Sequence, residues 1–292
     1  MKTLSPTPVI LGASRLGERP GADDLADALI SSRLGYVDTS NNYAGGRSEQ
    51  ALGDAVRRAG GLPGHTRIYS KADSDPETDA FDGERVKRSL DESLSRLGLD
   101  SLPLYQLHDP YGLTVAEAMG PGGAVPALID LRDQGVIGAI GIASGTLAQV
   151  REYVDTGAFD VVLSHNRYTL VTRTAEPLFE AAHALGMTVL NAAPFGGGTL
   201  ANGDGSFGYR PMPADFAAHV ERVRDLADLH GVDLAAAALH FSLRSPLVDA
   251  TVVGITSTAR LDALGPLIDA DVPDAFFEAV ESLGTPPPGV ED

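Results

Sequence analysis

The chain has no cysteine and no tryptophan in 292 residues. The first absence excludes disulfides, thiolate metal sites and cysteine nucleophiles. The second excludes an indole-lined pocket. Lysine is almost missing too, with only Lys2, Lys71 and Lys87 among the cations. Arginine carries the remaining positive charge, so the lysine in "RIYSKAD" is not one more solvating residue of a lysine-rich surface. No stretch approaches the eighteen or so uninterrupted apolar residues of a membrane-spanning helix, and "MKTLSPTPVI" lacks the apolar core of a signal peptide. A cytoplasmic location is the expectation. The formal net charge of −18 would repel nucleic acid and anionic membranes, so a small molecule is the expected partner. Nothing in the composition indicates an oligomeric state.

What is present is regular alternation. Short β-rich runs at Val9–Gly12, Tyr36–Asp38, Ile68–Lys71, Leu104–His108, Ala139–Ala143, Val161–Leu163, Val189–Ala192 and Thr251–Val253 are separated by helical patterns. In "ERVKRSLDESLSRLGL", Val86, Leu90, Leu94 and Leu97 fall on one helical face. Thr146 and Gln149 have capping-box spacing, and Gly98 and Gly186 sit where helices should stop. Eight strands with intervening helices predict an α/β fold, a single (β/α)8 TIM barrel over residues 1–292 with a loose tail from about 284. A doubly wound sheet would need G-x-G-x-x-G after its first strand, which "LGASRLGERPG" does not supply. The Gly-rich stretch 195–213, "FGGGTLANGDGSFGYRPMP", is too long for a tight turn and reads as an active-site loop.

In such a barrel the chemistry gathers where strands end at their C-termini. The second, third and fourth strands end at Asp38, Lys71 and His108, and Tyr43 follows the second in "YVDTSNNYAGGRSEQALG". Taken singly, Asp38 could cap a turn, Tyr43 pack on the rim, Lys71 pair with Asp38 and His108 fill the core. Three successive strands ending in ionisable groups at one mouth are harder to explain as packing.

Asp38, Tyr43, Lys71 and His108, in these contexts, resemble the Asp-Tyr-Lys-His tetrad of the aldo-keto reductases. "DTSNNYAGGRSEQALG" resembles that family's D-T-A-x-x-Y-G signature, and "DGERVKRSLDESLSRLGLDSLPLYQLHDP" its segment leading to the catalytic histidine. "NRYTL" followed by "NAAPFGGGTL" resembles the branch of sugar dehydrogenases acting on L-fucose, D-threo-aldoses and L-galactose. The resemblance implies an NAD(P)-dependent oxidoreductase without a metal, oxidising a sugar lactol at C1 or reducing aldehydes and ketones. Tyr43 would exchange the proton, Lys71 would lower the phenol's proton affinity from its usual value near 10, and His108 would orient the substrate oxygen. It further implies cofactor contacts at Ser144, at His165 or Asn166, at the backbone N–H groups of Gly196, Gly198 and Leu200, and at Gly254, Thr256 and Arg260. The nicotinamide-stacking aromatic of the family falls at Ala192, leaving Phe195 or Tyr168 to compensate. A basic residue usual in the family falls at Gly254, so NAD and NADP both stay open. Two other readings fit parts of the pattern: a Schiff-base aldolase using Lys71, and a non-catalytic dinucleotide-sensing subunit.

Overall fold

The computed structural model describes residues 4–203 and 205–289. Eight parallel strands close into a barrel: β1 (Val9–Gly12), β2 (Tyr36–Asp38), β3 (Arg67–Ala72), β4 (Tyr105–His108), β5 (Ile140–Ala143), β6 (Val161–His165), β7 (Thr188–Ala192) and, after a small hairpin of β8 (Ser206–Phe207) and β9 (Arg210–Pro211), β10 (Ala250–Gly254). Each barrel strand pairs with the next in sequence, and β10 closes the ring by running beside β1 with Val9 opposite Thr251. Helices α1 (Ala22–Ser31), α2 (Arg47–Arg58), α3 (Gly83–Leu97), α4 (Val115–Met119), α5 (Ala124–Asp133), α6 (Leu147–Asp155), α7 (Glu176–Ala184), α8 (Thr199–Asn202), α9 (Ala214–His230), α10 (Leu234–Leu243), α11 (Thr258–Ile268) and α12 (Asp274–Glu281) surround it. None of the described helices is long and apolar enough to cross a membrane.

Strand periodicity separates two cores. Ile10, Leu104, Leu163, Leu190 and Val252 fill the barrel interior. Their neighbours Leu11, Tyr105, Val162, Val189 and Val253 face the helices, as the alternation of side chains along a strand requires. Helix α3 buries Val86, Leu90 and Leu97 against the barrel, starts at Asp82, whose side chain accepts the Arg85 N–H, and stops at the left-handed Gly98.

The sequence expectations place all eight barrel strands, with ends differing by one or two residues. The capping box at Thr146 does not form. Gln149 instead donates to the carbonyls of Pro110 and Leu113, both at 2.8 Å, so its side chain ties the loop after β4 to α6. A complete capping box stands at Thr114 and Glu117. The Gly-rich stretch is folded rather than open: a 3₁₀ turn at Gly196–Gly198 leads into α8 and then the hairpin. Residues 284–289 carry no helix or strand, and the rest of the expected tail lies outside the described residues.

Candidate active site

Strand geometry brings the titratable groups together. Lys71 lies two residues after Tyr69, and His108 two after Gln106, so each pair shares the inward face. The register sets Asp38 opposite Tyr69 and Lys71 opposite Gln106. Asp38 and Lys71 are both buried. The Lys71 ammonium donates to Asp38 Oδ1 at 2.5 Å and to the Thr39 carbonyl at 2.6 Å. Gln106 Nε2 reaches Asp38 Oδ2 at 3.4 Å.

Tyr43 is delivered by a left-handed run, Ala44 (φ 54°), Gly45 (φ 65°) and Gly46 (φ 82°), that turns the chain from β2 into α2. Glycine suits this conformation. At Gly46 a side chain would also collide with the Arg96 guanidinium, 2.8 Å from where its Cβ would stand. Buried anchors hold the loop: Ser48 donates to the Ala13 carbonyl at 2.8 Å, and Glu49 accepts from Ser70 at 2.6 Å and from Arg96 at 3.1 Å. Burial pushes the Glu49 carboxyl above its usual range, against the pull of those donors. Tyr43 thereby lies with its ring centroid 4.5 Å from Lys71 Nζ and edge-on to the His108 ring at 5.4 Å.

The expected lowering of the Tyr43 phenol is not what the site produces. Burial raises its pKa most; Lys71 pulls it down, while Asp38 and Asp73 push it up, and the net value is about 12. Desolvation of a phenolate outweighs one ammonium whose charge is already half-answered by Asp38. Lys71 experiences the mirror balance. Burial would release its proton, yet Asp38 and Tyr43 together hold it firmly as ammonium.

His108 has a partner that the sequence reading missed. Asp73, two residues after Lys71, places Oδ1 2.6 Å from His108 Nδ1. Its other oxygen accepts the Ser40 hydroxyl and the Asn42 N–H. Burial acts to depress the His108 pKa, but Asp73 and then Asp109 outweigh it and the net shift is upward. Asp73 itself, despite burial, is held below the usual carboxylate range by His108, Ser40 and Asn42. The only sequence hint was one more aspartate in the acidic stretch "KADSD", with nothing in its spacing to pair it with a histidine 35 residues on.

Asp38, Tyr43 and His108 open into one cavity of about 430 Å³, whose walls also include Gly12, Asn166, Ala192 and Gly254. Its rim is polar, with Arg15, Glu18, Asn42 and Asp109. Asp109, at φ 44°, keeps a buried Oδ1 without a partner. The aromatic that the Gly-rich stretch contributes to the cavity wall is Tyr209, at the exposed tip between β8 and β9. Tyr168 is not available for that part. It is buried, bonded to Ser245 at 3.1 Å and packed against Phe179 and Phe241. Phe195 packs between the helix-facing core and a second cluster around Leu200, Phe207 and Phe216.

Of the sites expected for a cofactor, His165, Asn166 and Gly254 line this cavity. Asn166, at φ 57°, leaves its Oδ1 buried without a partner while its Nδ2 lies 3.2 Å from His165 Nδ1. An orphaned carbonyl oxygen in a cavity wall suits the amide donor of a nicotinamide carboxamide. Ser144 is fully buried just past β5 and its Oγ accepts the Thr146 N–H at 3.3 Å. The N–H groups of Gly196, Gly198 and Leu200 do not form the expected phosphate cradle. They donate to the carbonyls of Ala193 and Phe195 at 3.0–3.1 Å, because the 3₁₀ turn uses them internally. A second hollow of about 140 Å³ joins Thr256, Ser257 and Thr258 to Arg15 and Arg19. Ser257 caps α11 by accepting from the Arg260 N–H, and Arg260 itself is exposed.

The comparisons with known proteins agree with the barrel fold. A solved aldo-keto reductase of Bacillus halodurans in its holo form superposes with a TM-score of 0.75 at 21% identity, covering 94% of this chain and 91% of that one. The chain is 31% identical to a D-threo-aldose 1-dehydrogenase of Pseudomonas, over 95% of this chain and 94% of the relative. It is 28% identical to a pyridoxal 4-dehydrogenase of Microbacterium luteolum, over 96% and 95%. An L-galactose dehydrogenase of Arabidopsis thaliana is likewise 28% identical, over 86% and 81%. Enzymes of this kind are NAD(P)-dependent oxidoreductases acting on small molecules, and this chain is one of them. The match to the family model runs over residues 8–284, from the first barrel strand to beyond the last helix, and the chain belongs to the aldo/keto reductase family.

Proposed function

We propose that this oxidoreductase transfers hydride between a nicotinamide and C1 of a sugar in its lactol form, giving the lactone, and works in reverse on aldehydes or ketones. Tyr43 exchanges the proton with the substrate oxygen. The observation that carries this reading is the buried Lys71 ammonium, fixed by Asp38 at 2.5 Å and set 4.5 Å from the centroid of the Tyr43 ring, which lines a cavity together with His108. That ammonium favours phenolate character as negative charge builds on the oxygen. With burial holding the resting phenol near 12, Tyr43 keeps its proton for the oxygen made basic in reduction; in oxidation the ammonium favours the phenolate that accepts the hydroxyl proton.

When bound, the nicotinamide supplies or receives the hydride. Asn166 and Ser144 would hold its carboxamide, and Arg15 and Arg19, which share a hollow with Thr256, would meet the remainder of the dinucleotide together with Gly254 and Arg260. The polar rim of Arg15, Glu18, Asn42 and Asp109 supports a polyhydroxylated substrate, as the names of the D-threo-aldose and L-galactose relatives do. Lys71 is a poor imine-forming nucleophile, since two acceptors keep it charged and an amine must be neutral to attack a carbonyl.

The test is a spectrophotometric screen of NAD and NADP against aldoses, simple aldehydes and pyridoxal, followed at the reduced-nicotinamide absorbance. Turnover on aldoses in the oxidising direction is the expected result. Dinucleotide binding with no turnover on any member of the panel would contradict the proposal and support the sensing reading. Borohydride trapping of substrate on Lys71 would support the aldolase.

A further inference from the structure

We propose that Asp73 is a positioning residue that dictates which ring nitrogen of His108 carries a proton, so that His108 can donate to the substrate oxygen only as imidazolium. This rests on the reading of the cavity as a hydride-transfer site, and it concerns a residue outside the Asp38, Tyr43, Lys71 and His108 set.

Donors and acceptors around the ring decide the tautomer. Asp73 Oδ2 accepts the Ser40 hydroxyl and the Asn42 N–H, the latter at 2.9 Å. Its Oδ1 lies 2.6 Å from His108 Nδ1. A carboxylate only accepts, so Nδ1 must carry hydrogen. Ser40 Oγ also lies 3.1 Å from Nδ1. With its own proton committed to Asp73, it offers that nitrogen only a lone pair. Both neighbours of Nδ1 therefore demand the same tautomer. In the neutral ring the remaining nitrogen, Nε2, is then bare.

A carbonyl oxygen, or the oxygen that becomes negative as hydride arrives, can only accept. A bare Nε2 would present lone pair to lone pair. The imidazolium presents Nε2–H, and as a charged donor it makes the stronger bond. The groups around the ring favour that cation on balance: Asp73 from the segment after β3 and Asp109, whose Oδ2 is 3.5 Å from Nε2, against Lys71 on β3 and burial. Asp73 thus does two things at once. It removes the neutral ring as a donor and stabilises the charged one.

The substitution Asp73→Asn reverses the tautomer by the same count. Ser40 and Asn42 still need an acceptor, so the amide oxygen takes their place at Oδ2 and the amide NH₂ faces Nδ1. The neutral ring then keeps its proton on Nε2 and donates without a charge.

The experiment has two arms on the full-length enzyme. Two-bond ¹H–¹⁵N spectra of the histidine ring, with His108 assigned by its loss in His108→Gln, read the tautomer without any substrate. The wild type should show Nδ1–H when neutral. Asp73→Asn should show Nε2–H and titrate at lower pH, and Asp73→Glu should restore the wild-type pattern. In the kinetic arm, wild-type carbonyl reduction should fall as pH rises through the imidazolium titration. Asp73→Asn should lose that limb, with kcat reduced about tenfold and KM changed less. A wild-type neutral ring with Nε2–H, or a titration and pH limb unmoved by Asp73→Asn, would overturn the proposal. Should Asp73→Asn fail to fold, Ser40→Ala decides: Nδ1–H must persist there, and its loss counts against the carboxylate as the determinant. Absence of turnover on every substrate, with the spectra as expected, would refute the hydride-transfer reading and leave the assignment of the tautomer standing.

Discussion

Replacing Lys71 by methionine separates what the ammonium does for stability from what it does for chemistry. The side chains of Lys71 and Asp38 are 1% and 5% exposed, and Nζ sits 2.5 Å from the carboxylate. Methionine fills a similar volume but leaves Asp38 as a buried charge whose remaining donor is Gln106 at 3.4 Å. Removing one member of such a pair costs about 3–5 kcal/mol. At roughly 1.6 °C per kcal/mol for a chain of 292 residues, the melting temperature should fall by about 5–8 °C. The double variant Lys71→Met/Asp38→Asn removes the orphaned charge and should regain most of that loss. Turnover should not follow. An ammonium 4.5 Å from the ring centroid is worth about 4 kcal/mol at an effective dielectric near 20, so both variants should lose up to about three orders of magnitude in turnover. Calorimetry and steady-state nicotinamide assays on the three proteins decide it. A double variant that regains turnover along with stability would refute the reasoning, because it would make the ion pair structural only.

Three further outcomes follow from the site. The tyrosinate absorbance assigned to Tyr43, from the difference between wild type and Tyr43→Phe, should stay silent until close to pH 12. Because this folded-state pKa lies above the unfolded value of 10, its contribution to stability is complete below 10 and is lost as pH rises from there through 12. A signal near 10 would mean that burial is not the governing influence. Gly196→Ala should destabilise by about 1–3 kcal/mol in thermal unfolding, since its Cβ would stand 2.3 Å from the Phe207 ring at a φ of +61°; a neutral result would show that the loop can repack. Asn166→Ala should weaken dinucleotide binding about tenfold by isothermal titration, because its unpartnered buried oxygen is the acceptor assigned to the carboxamide. Unchanged affinity would remove that contact from the account.

The barrel was legible because its signals are local. Strand runs such as "VILG" and "YVD" are short and β-rich, and Gly98 marks a helix end by its conformational freedom alone. The approach of Asp38, Lys71 and His108 was legible for a related reason: residues at strand ends in a closed parallel barrel share one rim. Asp73 was not legible, because its pairing depends on the path of the segment after β3 and on the rotamer of His108. Tyr209 was hidden for the same reason, since a two-residue hairpin inside a Gly-rich stretch decides where it points. The tyrosine's proton affinity was misjudged in sign. The sequence names the nearby cation but not the depth of burial, and here burial is the larger influence. The glycine N–H groups show the converse error: their freedom was read correctly, but the turn they make consumes the donors assigned to a ligand.

The central claim is that the Tyr43 hydroxyl, poised against Lys71, exchanges the proton that accompanies hydride transfer. It is tested most directly by Tyr43→Phe, with turnover and dinucleotide affinity measured on the same preparation. The account predicts a loss of turnover by about two to four orders of magnitude, with the dinucleotide dissociation constant essentially unchanged. Turnover within a few-fold of wild type, on a substrate that the unaltered enzyme accepts, would contradict it.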